Sequence, residues 1–128
     1  MLRIKTVLKF SPIHGLGCFS MEPIKKGQLV WTFDSGSDLV FDEHELLLLP
    51  EAFREFLKTY GYVPLRLDKK ETILCADHAR HMNHSEDPSL LETPEGHNIA
   101  ARDIAIGEEL TCDYREFDKE ASEKIGDA

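Results

Sequence analysis

The sequence predicts a β-rich α+β fold, in which several short strands surround one helical insert. Segments near both ends alternate apolar and polar side chains, which is typical of strands with one buried face. Glycine and proline interrupt these segments, so the strands are short. Between residues 43 and 61 the apolar period changes from two to that of a helix. Many short strands around one helical region define the α+β class.

Length and composition fit one domain without a membrane span. The chain has 128 residues, of which 41% are hydrophobic and 30% charged. The longest aliphatic run is Leu46–Leu49, far below the ~20 apolar residues of a spanning helix. The first ten residues alternate basic and apolar side chains, so we expect no secretory signal and a cytoplasmic location. The three cysteines lie far apart, which argues against a disulfide framework.

The charge of the chain is unevenly distributed. The net charge is −9, with +4 in residues 1–33 and −7 in residues 92–128. Direct binding of nucleic acid needs a basic surface, which most of this chain lacks. The acidic stretches fit a basic, lysine-containing protein or peptide partner, or serve only to keep the protein soluble.

The predicted strands follow one another through the chain with turns between them. In residues 3–10 the alternation places Ile4, Thr6, Leu8 and Phe10 on the side that faces a core. We assign the domain to residues 1–114 and an acidic tail or lid to residues 115–128. The further predicted strands are 18–20, 29–33, 72–75, 89–91, 98–101 and 110–114.

The helical insert is predicted to contain two pieces. Asp42 and Glu45 have the spacing of a capping box that begins the first piece. Pro50 cannot lie inside one continuous helix, so it begins the second, and Gly61 is its C-cap. The apolar face of the second piece consists of Phe53, Phe56, Leu57 and Tyr60.

Three segments carry the residue types of a functional site. They are His14-Gly15-Leu16-Gly17, Arg80-His81-Met82-Asn83-His84-Ser85 and Glu109-Leu110-Thr111-Cys112-Asp113-Tyr114. Taken alone, each segment can also be explained without a function. The first would be a tight glycine turn, the second a polar turn bonded to its own backbone, and the third a strand that ends in a half-buried tyrosine. His78, His81 and His84 recur every three residues, but no acidic or cysteine ligand has matching spacing, so we expect no metal site.

Together, the order and spacing of the three segments resemble the SET domain family of protein lysine methyltransferases. Gly15-Leu16-Gly17 is similar to the first family motif. Arg80 to Ser85, continued by Asp87-Pro88, resembles R-F-x-N-H-S-C-x-P-N, with Glu86 and Ser89 in place of the usual Cys and Asn. Gly107 to Tyr114 resembles G-E-E-L-T-x-D-Y. The chain lacks the cysteine-rich flanks and looks like the minimal single-domain SET proteins of bacteria or large viruses.

The resemblance implies a SET-type fold of several short-stranded sheets with a C-terminal pseudoknot, and it implies an activity. The expected reaction transfers a methyl group from S-adenosylmethionine to a lysine ε-amine, which must be neutral to react. Tyr114 is the expected catalytic residue, and Cys112 and Phe117 are expected in the substrate channel or its lid. The alternative interpretation of Cys112 is a small buried hydrophobic residue without a role in the reaction. The residues expected to hold the cofactor are His14, Gly15, Leu16, Gly17, Tyr62, Arg80, Asn83 and His84.

Two other functions remain compatible with the sequence. A SET fold that has lost catalysis could bind a basic peptide or partner protein. A metal or thiol protein could use the histidines together with Cys75. A domain this small could also complete its substrate groove as a homodimer.

Overall fold

Short strands in three small sheets carry most of the architecture in the computed structural model, which describes residues 1–125. The sheets have the strand orders β1-β2-β9-β6, β3-β8-β7 and β4-β5. This arrangement confirms the predicted β-rich α+β class. The strands are β1 Thr6–Phe10, β2 Leu16–Ser20, β3 Leu29–Trp31, β4 Leu39–Asp42, β5 Glu71–Leu74, β6 Asn83–His84, β7 Leu90–Glu92, β8 Asn98–Ala100 and β9 Glu109–Cys112.

The first predicted strand forms, but its predicted buried face is wrong at one end. β1 pairs with β2 in antiparallel register from Thr6 opposite Ser20 to Phe10 opposite Leu16. The Phe10 residue is 88% exposed instead of facing the core. β1 is the edge strand of its sheet, and its last residue lies next to the turn into β2, where no other element covers it.

Two strands of the structure were not predicted, and a third is shorter than predicted. β4 was not among the predicted strands, although its four residues pair with β5. β6 has only two residues, too few for an alternating pattern. The last strand was predicted to reach Tyr114 but ends at Cys112, because the Asp113 side chain accepts a hydrogen bond from Arg115 N and begins a 3-10 turn at Tyr114–Glu116.

The helical insert forms as two helices, as predicted. α1 spans Glu43–Leu47 and begins with the predicted capping box of Asp42 and Glu45. α2 spans Glu51–Tyr60 directly after Pro50. Gly61 caps α2 in an extended conformation (φ −88°, ψ 172°) and not in the left-handed one that favours glycine. An aromatic row from Phe41 continues along α2 through Phe53 and Phe56 to Tyr60, with ring centroids 4.7–5.9 Å apart.

A single buried cluster joins the first two sheets. Burial of apolar surface, worth roughly 25 cal/mol per Å², stabilises this contact. The cluster consists of Ile4, Cys18, Ile24, Val30, Met82, Leu90, Ala100, Ile104, Leu110 and Cys112.

No helix within residues 1–125 combines the length and apolar character that crossing a membrane requires.

β6 and β9 are parallel neighbours, with Asn83 opposite Thr111 and His84 opposite Cys112. They bring the second and third motif segments side by side. This is the contact that the family resemblance predicts for the pseudoknot, an exception to the rule against threaded chains.

Residues 115–125 of the predicted acidic tail pack against the rest of the domain. A short helix, α3, spans Ala121–Ile125. Asp118 is 3% exposed, and its carboxylate accepts hydrogen bonds from Val63 N (3.1 Å) and Glu120 N (3.0 Å). The Lys124 ammonium donates to the same carboxylate and to the Gly61 carbonyl. These bonds hold α3 against the end of the helical insert. Residues 126–128 of the predicted tail lie outside the described part of the chain.

Candidate active site

The three motif segments meet in one sheet. β2, which follows the glycine turn, pairs with β9 so that Cys18 lies opposite Leu110. β6 pairs with the other edge of β9. β9 therefore brings the first segment together with the second and third, which lie more than sixty residues further along the chain.

Asn83 ties the three segments together through its side-chain amide. Its Nδ2 lies 3.0 Å from the His14 carbonyl oxygen, 3.4 Å from that of Leu16 and 2.9 Å from Glu109 Oε2. Both oxygens of the Glu109 carboxylate also lie within 2.9 Å of Ser11 Oγ. Asn83 is only 7% exposed, so these bonds compensate its desolvation. The sequence analysis did not assign Glu109 a role, although it lies inside the third motif.

The two glycines of the first segment have different roles. Gly15 adopts φ +44°, and a Cβ atom placed there would meet nothing within 4 Å. A Cβ atom at Gly17 would lie 2.5 Å from Glu109 Oε2 and 3.0 Å from Ser11 Cβ. Gly15 therefore supplies a left-handed turn beside open space, whereas Gly17 leaves room for the Glu109 carboxylate.

Replacement of Gly17 by Ala is expected to destabilise the fold by about 1–3 kcal/mol. The added methyl group would push Glu109 away from Ser11 and Asn83, which breaks hydrogen bonds of a buried network. Urea denaturation measures the change in the free energy of unfolding. Gly36→Ala is the matched control, since its new Cβ atom would meet only Asp34 Oδ2 at 3.4 Å. Equal stability of the two variants would contradict this role of Gly17.

Tyr114 follows β9 and turns its hydroxyl back toward the second segment. The hydroxyl donates a hydrogen bond to the Met82 carbonyl at 2.6 Å. The Tyr114 backbone N–H donates to His84 Nδ1 at 3.2 Å, which assigns the imidazole proton to Nε2. Burial raises the pKa of the Tyr114 phenol above its usual range, so the group stays protonated.

A cleft of about 660 Å³ lies along the first and second segments. Its volume is within the range of sites for organic ligands. The wall contains cations and carboxylates as well as apolar groups, so it can accept a ligand with both polar and apolar parts. The lining residues are Ile13, His14, Gly15, Leu16, Lys58, Thr59, Tyr60, Arg80, His81, Met82, Asn83, His84, Tyr114, Glu120, Glu123, Lys124 and Ile125.

A smaller pocket of about 60 Å³ adjoins this cleft. Tyr114 lines both cavities and therefore lies where they meet. The other residues that line both are Thr59, Tyr60, Arg80, Met82 and Lys124. The residues that line the smaller pocket alone are Trp31, Gly61, Tyr62, Cys75, Ala79, Glu92, Asn98, Cys112, Phe117 and Asp118.

Two residues predicted to hold the cofactor do not line the larger cleft. Tyr62 lines the smaller pocket, where its ring packs edge-on against Phe117 with centroids 5.4 Å apart. Gly17 packs against Glu109 instead. Arg80, also predicted for the cofactor, lines both cavities, and its Nε donates to the Cys75 carbonyl at 3.0 Å.

The other residues predicted for the site line one or both of the two cavities. His14, Gly15, Leu16, Asn83 and His84 line the larger cleft. Cys112 and Phe117, predicted for the substrate channel or lid, line the smaller pocket. Cys112 is buried with its sulfur 3.5 Å from that of Met82, and burial raises the pKa of its thiol well above the ordinary value. Cys112 is therefore a neutral, apolar part of the wall.

The described residues 1–125 contain no group of three or more His, Cys, Asp or Glu side chains that could hold a metal ion. His78, just before the second segment, and His81, within it, have other contacts. The His78 ring bonds to the Thr6 hydroxyl at 2.9 Å, and the His81 ring packs against Tyr60 with centroids 5.1 Å apart.

The larger cleft fits an adenosyl amino acid such as S-adenosylmethionine. Gly15 presents backbone without a side chain to open space, so a ligand can approach the turn closely. Lys58 and Arg80 are cations that suit a carboxylate, while Glu120 and Glu123 suit an ammonium group. Asn83 Nδ2 is already used within the protein, so Asn83 shapes this wall by positioning the His14 and Leu16 carbonyls.

The larger cleft and the smaller pocket adjoin each other. An organic ligand in the cleft can therefore contact a small group that enters the pocket. The family profile of the SET domain matches residues 15–115. The chain belongs to the SET domain family, whose members are generally protein lysine methyltransferases. A comparison with curated protein sequences finds no match.

Solved structures with the same fold include a Polycomb complex and a putative histone methyltransferase. Polycomb Repressive Complex 2 of Chaetomium thermophilum, bound to GSK126, matches with a TM-score of 0.65 and 21% identity, covering 94% of this chain and 17% of that one. The same complex in an autoinhibited conformation, bound to S-adenosylmethionine, has a TM-score of 0.64 and 21% identity over 94% and 16% of the two chains. A putative histone methyltransferase of Plasmodium falciparum has a TM-score of 0.58 and 21% identity over 88% and 95%. The chain thus spans about a sixth of the Polycomb chains but nearly all of the Plasmodium chain.

Proposed function

We propose that this protein transfers a methyl group from S-adenosylmethionine to the ε-amine of a lysine in a protein substrate. The observation that carries the proposal is the position of Tyr114 at the junction of the two cavities. The larger cavity suits the cofactor, and the smaller one has room for the end of a narrow side chain. The Tyr60 and Tyr114 side chains both line this junction, and the Tyr114 hydroxyl donates to the Met82 carbonyl there.

The cofactor would lie against the turn at His14, Gly15 and Leu16 and the strand at Asn83 and His84. When bound, S-adenosylmethionine supplies an activated methyl group on a positively charged sulfur. The residues of the chain orient the two reactants, and orientation alone can lower a barrier by several kcal/mol, on the order of 7–11 at best.

Tyr114 would position the attacking amine. Its hydroxyl hydrogen is used by the Met82 carbonyl, so the oxygen lone pairs are free to accept a hydrogen bond from an amine N–H. The neutral amine is the reactive form, although free lysine has a pKa of ~10.4. The apolar walls contributed by Cys112, Tyr62 and Phe117 disfavour the ammonium form by desolvation.

Binding of S-adenosylmethionine is the first test, and isothermal titration calorimetry measures it. We expect the wild-type protein to bind and Asn83→Ala to bind at least tenfold more weakly, because loss of Nδ2 releases the His14 and Leu16 carbonyls and removes one of the hydrogen bonds that hold Glu109. Asp87→Ala is the control, since this exposed residue lies on the same segment but outside the cleft.

Methyl transfer is the second test. The protein is incubated with S-adenosylmethionine and a mixture of basic proteins, and mass spectrometry identifies methylated lysines. Absence of cofactor binding by the wild type would refute the proposed function. Cofactor or peptide binding without methylation would instead favour the alternative of an inactive module that holds a basic partner.

A further inference from the structure

One wall of the smaller pocket is a polar row that crosses three strands. Trp31 of β3 lies opposite Asn98 of β8, and Asn98 lies opposite Glu92 of β7. Side chains on a strand alternate between its faces, so Glu92 shares a face with Leu90, which is 1% exposed, while Leu91 between them is 40% exposed. All three residues of the row line the pocket that Tyr114 also lines.

Two groups of this row have no partner within residues 1–125. The indole Nε1 of Trp31 is buried without any hydrogen bond. The Glu92 carboxylate, on a half-buried residue, has neither a hydrogen bond nor an ion pair in the described structure. Leaving a half-buried carboxylate unpaired costs free energy, and such groups are enriched in sites that bind a ligand.

The surroundings of Glu92 bring the pKa of its carboxyl close to neutral pH. Burial raises the pKa of its carboxyl to about 7, Arg66 acts in the opposite direction, and Glu116 adds to the rise. The remaining titratable groups that line the same pocket are Tyr60, Tyr62, Cys75, Arg80, Cys112, Tyr114, Asp118 and Lys124. Asp118 and Lys124 are paired with each other, whereas the Glu92 carboxylate forms no ion pair within residues 1–125 and feels Arg66 only from a distance.

We propose that Glu92 is a substrate-binding residue whose carboxylate binds the acceptor lysine in its ammonium form as this side chain enters the smaller pocket, before the ammonium releases its proton to solvent and the neutral amine reacts. The proposal rests on the proposed function, because it deepens the substrate side of the same site. An ammonium supplies the donor that Glu92 lacks, and charge-assisted bonds of this kind are the strong ones in a partly dry site.

Recognition by Glu92 makes binding depend on pH. Below pH 7 the carboxyl takes up a proton and loses its attraction for a cation, whereas an alkyl ammonium stays charged up to a pH of ~10. Affinity for an alkyl ammonium is therefore expected to rise between pH 6 and pH 8. Without the carboxylate, the affinity should be independent of pH over this range.

The test uses n-butylammonium chloride as a probe of the lysine side chain, with n-butanol as the uncharged comparison. The Trp31 indole N–H resonance reports binding in both the wild type and Glu92→Gln by nuclear magnetic resonance, because Trp31 lines the same pocket. The carboxyl carbon resonance of Glu92, assigned by its absence from Glu92→Gln, reports direct contact with the probe in the wild type. We expect the wild type to bind butylammonium at least tenfold more tightly at pH 8 than Glu92→Gln does. Glu95→Gln is the matched control, because Glu95 is a fully exposed carboxylate three residues along the chain.

Each outcome of this titration decides the assignment without any methyl transfer. Equal affinity of the wild type and Glu92→Gln, equal affinity for butylammonium and butanol, or no shift of Glu92 at 100 mM probe would overturn it. Thermal unfolding of Glu92→Gln tests whether the variant is folded, which we expect because Glu92 has no hydrogen bond to lose. If butylammonium binds through Glu92 but S-adenosylmethionine does not bind, the proposed methyl transfer fails while the ammonium site remains.

Discussion

Tyr114→Phe is expected to lower the rate of methyl transfer about 10²–10³-fold, the range seen when one preorganised hydrogen-bonding group is removed from an active site. The variant loses the phenol oxygen at the junction of the cavities, which donates to the Met82 carbonyl at 2.6 Å in the wild type. The ring remains, so its edge-on contact with Phe117, with centroids 5.9 Å apart, is kept. The measurement is a single-turnover methylation assay with a mass-spectrometric readout.

Cofactor affinity and stability provide the controls for this variant. The Met82 carbonyl loses one hydrogen bond, which costs about 1 kcal/mol, so the variant should still fold. Its affinity for S-adenosylmethionine should stay within about twofold of the wild type, because the turn at His14 to Leu16 is unchanged. A variant that binds cofactor and keeps activity within tenfold of the wild type would remove Tyr114 from the catalytic role.

Asp118→Ala is expected to destabilise the fold by about 3–5 kcal/mol, as when one partner of a buried ion pair is removed. The Asp118 side chain is 1% exposed and that of Lys124 14%, so the lysine would be left nearly buried without its carboxylate. The backbone N–H groups of Val63 and Glu120 would also lose their acceptor. Urea denaturation, followed by circular dichroism, measures the free energy of unfolding.

Two variants separate the contributions of charge and hydrogen bonds. Asp118→Asn keeps an oxygen for Val63 N and Glu120 N, so it should cost less than Asp118→Ala. Glu55→Ala breaks the ion pair between Glu55, whose side chain is 62% exposed, and Lys58, whose side chain is 66% exposed. Loss of this exposed pair should change the free energy of unfolding by less than about 1 kcal/mol. An effect of Asp118→Ala as small as that of Glu55→Ala would mean that the clamp on α3 contributes little.

Loss of this clamp should also affect the cleft. Glu120, Glu123, Lys124 and Ile125 line it, and the Asp118–Lys124 pair holds them in place. We therefore expect Asp118→Ala to weaken binding of S-adenosylmethionine even at temperatures where the variant is folded. The segment first interpreted as a tail or lid contributes one wall of the candidate site.

Local sequence patterns predicted the elements whose residues lie close together in the chain. The capping box at Asp42 and Glu45 and the break at Pro50 are local signals, and both helices of the insert begin where these signals place them. Strand β6 has two residues and no pattern of its own, and it forms because β9 offers a partner. Phe10 fits the alternating pattern but is exposed, since a pattern cannot specify whether another element covers an edge strand.

The sequence by itself determined the fold class, the two helices of the insert and the three segments from which the candidate site is built. Their residue types and spacing also carried the resemblance to the SET domain family. Only the tertiary structure decided which side chains meet: it placed Tyr62 in the smaller pocket, set Gly17 against Glu109 and aligned Trp31, Asn98 and Glu92 across three strands. The physical reason is that these contacts depend on strand register and side-chain packing between distant segments, which no local pattern of residues encodes.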